Sequence, residues 1–442
     1  MKKISFRVQR QPISAPNQEQ EPPALLIAGH GLSRAFSSLR QRNFRLFWSG
    51  QVVSLMGTWM QIIGQAWLVL ELTHSPWQLG LVGALQALPV LLFSIFGGVF
   101  ADRWPKRRVL LFTQSAAMLQ ASLLSVLVIT GNIQPWQLYG LALLLGLTNS
   151  LNMPTSRAFV VEMVGREDLP NAIALNSSLS NLAQIVGPSL GGIIIAASGV
   201  NMLFVLNAFS FIPVIVGLGL INVHELHAQA STSVNGRPKT WTSLREGVAY
   251  VWNTPAILLV IVVVGLVLLF GSNFNVALPL FATNVLHVGA TGFGFLSAAS
   301  GIGSLVSALW LAWGSWRPTI RGVLIGVLVF GGLEAIFSLS RLYFLSLVLI
   351  ASVGFVETAF AAQAITMLQT VAPDHLRGRV MSVCVLFFDG SVPLGYMLVG
   401  WLAGLCGPSI GLLICALLSL LVTGAGWIWR KPAEKSADIS HP

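Results

Sequence analysis

Long apolar runs recur along the chain from residue 43 onward, each bounded by Gly, Pro or a charged residue. The runs are about 20 residues or longer, which is the length that a helix needs to cross the hydrocarbon layer of a bilayer. Backbone groups in lipid must be satisfied within their own segment, so runs of this length predict helices and exclude the shorter strands of a barrel. The predicted spans are about 44–70, 78–100, 109–130, 137–156, 172–198, 202–222, 256–284, 292–313, 320–340, 343–366, 380–405 and 409–429.

A polar segment divides these spans into two sets of six. A short sequence match recurs in the two sets at a constant offset. Val164 and Leu169 before the fifth span correspond to Val371 and Leu376 before the eleventh. We therefore predict an all-α integral membrane protein with twelve transmembrane helices in two six-helix bundles related by pseudo-two-fold symmetry. The predicted regions are a disordered cytoplasmic tail at 1–42, bundles at 43–223 and 256–430, a cytoplasmic linker at 224–255 and a cytoplasmic tail at 431–442.

Composition agrees with a chain whose solvent is lipid. Hydrophobic residues make up 55% of the sequence and charged residues only 9%, which does not suit a single water-soluble core. The three cysteines lie in or beside apolar runs without metal-ligand spacing, so we interpret them as packing residues.

The basic residues predict the orientation. With the amino terminus in the cytoplasm, Arg341 alone among the 25 Lys and Arg residues falls on the outer side. Cytoplasmic loops are enriched in Lys and Arg, so both termini are predicted to be cytoplasmic. The net charge of +10 then follows from this bias and from attraction to anionic lipid headgroups, and it requires no nucleic-acid partner.

The connection after the second span carries a motif at 98–108, with sequence Gly-Val-Phe-Ala-Asp-Arg-Trp-Pro-Lys-Arg-Arg. It resembles the Gly-x-x-x-Asp-Arg-x-Gly-Arg-Lys signature of the major facilitator superfamily, which implies that fold. Small residues allow close helix approach, and opposite charges can pair across a closing cytoplasmic gate. The alternative is that these charges cap helices and set the topology. The predicted gating residues are Gly98, Asp102, Arg103, Arg107 and Arg108.

This motif departs from the signature in two places. Pro105 stands where the signature usually has Gly, and the second-half copy has Ser315 where the first half has Asp. We therefore expect gating by this loop to depend mainly on the first half.

The fifth span contains Ala-Gln-Ile-Val-Gly-Pro-Ser-Leu-Gly-Gly at 183–192. This resembles the Gly-x-x-x-Gly-Pro-x-x-Gly-Gly signature of drug/proton antiporters in the same superfamily, with Ala183 in place of the first Gly. The small residues permit close helix contact, and a proline bends a helix, so the segment is a candidate pivot. Simple helix packing explains the residues equally well. The residues assigned to this exporter motif are Gly187, Pro188, Gly191 and Gly192.

Three further segments, at 153–159, 171–177 and 376–382, resemble the enterobactin-exporter-like group of siderophore and drug efflux permeases. The resemblance implies export of a small organic molecule across the bacterial inner membrane, without specifying the cargo. The drug/proton antiporter signature in the fifth span implies proton antiport. However, the basic residue that many proton-coupled relatives carry in the middle of span four is absent from 139–153.

Ionisable residues within spans are candidates for proton coupling, since a charge in lipid is costly and is mostly kept for function. Glu357 lies near the middle of span ten and Asp389 near the middle of span eleven, and we predict that they carry the proton. The alternative for both is a hydrogen-bonded contact between helices. Glu334 in span nine is interpreted as structural, with Arg341 two turns away as its expected partner.

Uncharged polar residues within spans predict the faces that line a substrate cavity between the bundles. Aromatic residues at Trp59, Trp67 and Phe274 are expected to form apolar walls suited to an aromatic or amphipathic cargo. The predicted polar cavity residues are Gln61, Gln65, Asn149, Asn152, Asn273 and Gln363, and Asn275 is added to them.

The sequence lacks a Gly-x-x-x-x-Gly-Lys loop for nucleotide hydrolysis, and its seven histidines form no metal-ligand pattern. We expect no enzymatic activity, cofactor or metal. The expected partners are a small-molecule substrate, protons and membrane lipid, and a monomer suffices for this architecture. The leading hypothesis is a proton-driven exporter. The alternatives are a lipid flippase of the same fold and a membrane scaffold or sensor that does not transport.

Overall fold

A computed structural model of the protein describes residues 36–227, 240–314 and 318–439, and their side chains except those at 94–103, 240–244 and 431–439. The predicted tail before residue 36, the middle of the linker and Ser315 lie outside the described residues. The side chains of Gly98, Asp102 and Arg103 lie outside them as well.

The described chain is built of thirteen α-helices and two short 3-10 turns at Ser37–Arg40 and Val223–Glu225. Proline begins several helices, where its missing N–H is no loss, and Gly or a left-handed residue ends others. The first half contains α1 Arg42–Thr73, α2 Pro76–Arg103, α3 Lys106–Ile129, α4 Pro135–Val164 and α5 Leu169–Leu220. The linker contains α6 Thr240–Asn253. The second half contains α7 Pro255–Gly271, α8 Phe274–Asn284, α9 Gly289–Trp313, α10 Ile320–Leu339, α11 Tyr343–Val371, α12 Asp374–Cys406 and α13 Pro408–Ile439.

These helices make twelve crossings and confirm the predicted all-α membrane fold. Ten segments of the described chain are long and apolar enough to span a bilayer, with α7 and α8 together forming one of them. The long α5 provides two crossings, because Gly199 at φ 81° interrupts it between the predicted fifth and sixth spans. The twelfth is α4, whose 30 residues extend about 45 Å at 1.5 Å per residue.

Two segments that were predicted as connections contain helix. The linker includes the amphipathic α6, whose Glu246 forms an ion pair with Arg379 of α12. Helix α13 continues to Ile439, through most of the segment predicted as a tail. The sequence predicts a polar linker and a tail for these segments, and a polar face does not prevent a helix.

The alternation of the crossings places the start of α1 and the end of α13 on one side, which we call the terminal face. The loops at 74–75, 130–134, 285–288 and 340–342 lie on the other side, which we call the opposite face. Near the opposite face the halves touch through two helix pairs, α2 with α12 and α5 with α9.

Small residues bring these pairs into close contact. A Cβ on Gly400 of α12 would lie 2.7 Å from the Pro76 carbonyl oxygen of α2. A Cβ on Gly192 of α5 would lie 2.6 Å from the Ala290 carbonyl oxygen of α9. These distances are below normal van der Waals contact, so only glycine fits, and the halves are closed against each other at the opposite face.

Candidate functional site

A central cavity of about 510 Å³ lies between the two halves. Its wall is formed by α1 and α5 of the first half and by α8, α9 and α11 of the second. Trp59 and Phe274 contribute aromatic surface, at the positions where the sequence placed apolar walls. The polar groups that line it are Asn181, Gln184, Ser272, Asn275, Ser297, Ser300, Ser304, Glu357 and Thr358. A cavity of this size, mostly apolar with a few polar groups, suits a drug-sized molecule.

Glu357 is the carboxylate in the cavity wall. It projects from α11, is half-buried, and accepts a hydrogen bond from the Ser272 hydroxyl. Ser272 belongs to the short break between α7 and α8, so the position of this carboxylate depends on the helix interruption. Where irregular backbone lines a cavity in a membrane protein, it commonly forms a binding site for a substrate or a coupling ion.

Asn273 holds that break in place and does not line the cavity. Its side chain is buried, and its amide donates to the carbonyl oxygens of Leu269 at 2.8 Å and Phe270 at 3.2 Å. These carbonyls are in the last turn of α7, where the helix itself supplies no donor. The expectation that Asn273 lines the cavity is therefore corrected, because its amide caps the helix end.

Asp389 lies away from the central cavity. Its side chain is exposed on α12, and its charge interacts with Arg157 of α4, which is also exposed. Since α4 and α12 belong to different halves, this interaction runs from one bundle to the other. The structure thus separates the two carboxylates that the sequence grouped as proton-coupling candidates.

Two predicted cavity residues stabilise the interior of the first half instead. Gln61 is buried, donates to Gln120 at 3.1 Å and accepts a hydrogen bond from Asn207. Asn152 accepts hydrogen bonds from Thr113 and Gln114. Helix rotation decides which face a polar residue occupies, and buried amides pair with one another when they point into a bundle.

The other three polar predictions are distributed differently. Gln65 accepts from Gln86 at 2.9 Å and lines a smaller cavity of about 160 Å³, together with Asn275 and Tyr396. Asn149 and Gln363 are half-buried and lie outside the described wall of the central cavity.

The sequence held a signal for the cavity residues that were missed. Ser297, Ser300 and Ser304 recur at helical spacing along α9, so they form one polar stripe. Asn181 and Gln184 are one turn apart, just before and within the segment 183–192 that contains the exporter motif. The serine spacing on α9 and the spacing of this pair on α5 each identify a polar helix face that is unsuited to lipid.

A third cavity of about 230 Å³ lies toward the opposite face. Along α1, Trp59 lines the central cavity, Gln65 the smaller one and Glu71 the third. Along α8, Asn275 lines the first two and Asn284 the third. The cavities therefore follow the seam between α1 and α8 from the centre of the molecule outward.

The exporter motif lies at the junction of three helices. A Cβ on Gly187 would lie 2.5 Å from the Trp59 Cβ of α1, within the first half. On the other side, a Cβ on Gly294 of α9 would lie 2.5 Å from the Pro188 carbonyl oxygen. The motif thus packs within its own half and also against the other half.

The described part of the gating motif acts within the first half. The Arg107 guanidinium donates to the carbonyl oxygens of Leu218 and Gly219, each at 2.6 Å, at the end of α5. Lys106 pairs with Glu162 of α4 at 2.6 Å. Arg107 therefore caps the end of a helix, which is the alternative role considered for the charges of this motif. Arg108 is exposed.

Comparison with known proteins identifies the family. The transmembrane secretion effector family of the major facilitator superfamily matches residues 33–441. The chain belongs to this family. The match confirms the resemblance that the sequence motifs indicated.

Curated relatives cover most of the chain. A multidrug efflux pump, Tap, from Mycolicibacterium fortuitum is 28% identical, over 83% of this chain and 90% of its own length. An enterobactin exporter, EntS, from Citrobacter koseri is 26% identical, over 88% of this chain and 94% of its own length. Modest identity along nearly the whole length shows a multi-pass membrane transporter family.

Solved structures share the fold. A bacterial homologue of the human lysosomal transporter Spinster, in an inward-facing and unoccupied conformation, matches with a TM-score of 0.71 at 12% identity, over 91% of this chain and 98% of the other. The nucleoside transporter NupG matches with a TM-score of 0.69 at 13% identity, over 88% of this chain and 99% of its own.

Proposed function

We propose that this protein exports an aromatic or amphipathic small organic molecule in exchange for protons, and that Glu357 carries the proton. The single observation that supports this most strongly is the Glu357 carboxylate in the wall of the central cavity, held by Ser272 at the α7–α8 break. A carboxylate that the cargo can reach allows proton and cargo to compete for one site, which couples their movements.

The chemistry of the cavity supports this class of cargo. Trp59 and Phe274 offer aromatic surface, while Asn181, Gln184 and Asn275 offer hydrogen bonds. Relatives of this chain include proteins named as an enterobactin exporter and a multidrug efflux pump, and both names describe export. A siderophore-like or drug-like molecule is therefore the proposed cargo.

Alternating access is the proposed mechanism. The halves are closed at the opposite face through the α2–α12 and α5–α9 contacts. Arg157 and Asp389 are exposed, belong to different halves and interact electrostatically, and we propose that they flank the opening toward the terminal face. We propose that the terminal face is cytoplasmic in the bacterial inner membrane, as the Lys and Arg distribution favours, so this state would admit cargo from the cytoplasm.

The experiment measures cargo uptake by everted membrane vesicles that contain the protein. The candidate cargoes are a catecholate siderophore and an aromatic cationic dye, and a pH-sensitive dye follows protons. We expect energised accumulation that an uncoupler abolishes and that Glu357→Gln eliminates. The matched control is Asp374→Asn, because the Asp374 carboxylate is 91% exposed and paired with Arg377. This control should transport normally.

The other outcomes separate the alternatives. Accumulation that an uncoupler leaves unchanged would refute proton coupling. Movement of a fluorescent phospholipid across proteoliposomes, without transport of either cargo, would identify a flippase. A folded protein that moves none of these probes would support a scaffold or sensor.

A further inference from the structure

A second carboxyl group lies behind the cavity wall, on α10 of the second half. Glu334 is completely buried, and neither carboxyl oxygen has a hydrogen-bond partner among the described residues. The sequence suggested Arg341 as its partner, but the Arg341 guanidinium donates to Ser409 at 2.8 Å. The expected ion pair is therefore absent, and the carboxyl needs another explanation.

The α7–α8 break connects this carboxyl to Glu357. A Cβ on Gly271 would lie 2.7 Å from Glu334 Oε2, so the backbone at the end of α7 packs directly against the carboxyl. The next residue, Ser272, donates its hydroxyl to Glu357. Two consecutive residues, the last of α7 and the first of the break, thus contact the two carboxyl groups, and these groups are close enough to interact electrostatically.

Among the described residues, none that acts on Glu334 is a cation. Helix α7 has no ionisable residue, and α13 places Cys415 within electrostatic reach of Glu334. Helix α11 contributes Glu357, a carboxyl group that is negative when ionised, as Glu334 is. The Phe330 ring packs on Gly271 and lies edge-on to Phe274 of the cavity wall, at a centroid distance of 6.4 Å.

Taken together, burial, missing partners and a neighbouring carboxyl make an ionised Glu334 unfavourable. Removing a carboxylate from water is costly even after relaxation, and two carboxyl groups in a shared apolar site do not both ionise readily. A proton on Glu334 removes both penalties. Asn273 Oδ1, at the same break, is another buried oxygen without a partner.

We propose that Glu334 is a second proton-binding group, which shares one proton with Glu357 across the α7–α8 break. Its place in transport rests on the proposed function: when a cation or the cargo displaces the proton from Glu357, Glu334 retains it within the second half. The break, rather than a single side chain, then links cargo binding to protonation.

Infrared spectroscopy of the purified protein in lipid tests the shared proton without a cargo. A protonated carboxyl group has a C=O stretching band that a carboxylate lacks. We expect this band at neutral pH in the parent protein and its loss in Glu334→Gln. In Glu357→Gln the Glu334 band should persist at neutral pH but disappear at a lower pH than in the parent, because the like charge is gone.

Matched controls make each outcome decisive. Asp374→Asn changes an exposed carboxylate and should leave the band unchanged. Identical spectra of the parent and of a folded Glu334→Gln protein would overturn the proposal. A C=O band that appears only after sodium is removed would also overturn it, because it would show that the site binds a cation. The Glu357→Gln arm retains Glu334, so it decides the question if Glu334→Gln fails to fold.

The two proposals fail separately. Loss of cargo uptake with the infrared band intact would refute export but leave the shared proton in place. Proton-driven uptake without the Glu334 band would retain Glu357 as the coupling group and remove Glu334 from the mechanism.

Discussion

At the scale of single residues, the Ser272 hydroxyl is the group that orients Glu357 toward the cavity. A hydrogen bond to a charged group contributes about 1.5–3 kcal/mol, and about 1.4 kcal/mol corresponds to a tenfold change in rate. We therefore expect Ser272→Ala to slow proton-coupled uptake by about tenfold or more without unfolding the protein. Initial uptake rates in everted vesicles, normalised to the amount of folded protein, measure the effect.

Threonine at the same position provides the control. Ser272→Thr keeps the hydroxyl, and position 272 lies in a break where no helix geometry is required, so uptake should recover. If the alanine and threonine variants were equally slow, the bulk of the side chain rather than the hydrogen bond would determine the rate.

The sequence shows which polar residues lie within the spans, but it does not show which way their side chains point. An intramembrane Glu357 is conspicuous because charges are rare in lipid-spanning helices. Gln61 and Asn152 were equally conspicuous, yet their amides point into the first half and pair there. A rotation of about 100° separates neighbouring helix positions, and the sequence alone does not specify how each helix is turned.

At the scale of helices, the α5–α9 contact depends on Gly192. Because its Cβ would lie 2.6 Å from the Ala290 carbonyl oxygen, Gly192→Ala requires the two halves to separate at the opposite face. Overpacking of this kind costs about 1–3 kcal/mol. We expect the conformation with a closed opposite face to become less populated, which should reduce access to the cavity from the terminal face.

Cysteine labelling measures this access. Ala362 lines the central cavity, and Ala362→Cys in a background without the three native cysteines gives one site for an impermeant maleimide. Labelling in everted vesicles should fall in the Gly192→Ala variant. Gly140→Ala is the control, since a Cβ there meets nothing within 4 Å. Unchanged labelling in Gly192→Ala would show that this contact does not hold the closed face.

The helices themselves were predictable, because about 20 apolar residues in a row have few alternatives in lipid. Their interruptions were harder to predict. Span seven was expected as one segment, but it breaks at Ser272 and Asn273, where an amide caps the preceding helix. Gly271, Ser272 and Asn273 favour turns, but three such residues in an apolar run do not by themselves end a span. The interruption here also depends on side-chain capping and tertiary contacts, which hydropathy does not detect.

At the scale of the whole molecule, the two halves form different kinds of contact at the two faces. Small residues and backbone atoms meet at the opposite face. Nearer the terminal face, where α4 ends, Arg157 interacts electrostatically with Asp389 of the other half. The polar linker and the internal repeat predict two bundles, and the positive-inside pattern predicts their orientation. How the halves fit together depends on which side chains meet, and the sequence alone does not specify this.

Charge reversal at Arg157 and Asp389 tests whether Asp389 acts in a gate or binds the coupled proton. If the charges attract when the terminal face closes, Asp389→Arg or Arg157→Asp should each slow uptake by about fivefold or more, since about 1 kcal/mol of repulsion is sufficient. The double reversal restores opposite charges and should recover most of the rate. Uptake in everted vesicles measures all three variants. The opposite result is an inactive double reversal together with loss of proton coupling in Asp389→Asn alone. Asp389 would then be a proton-binding residue, as its position in span eleven first suggested, and the gate would depend on other contacts.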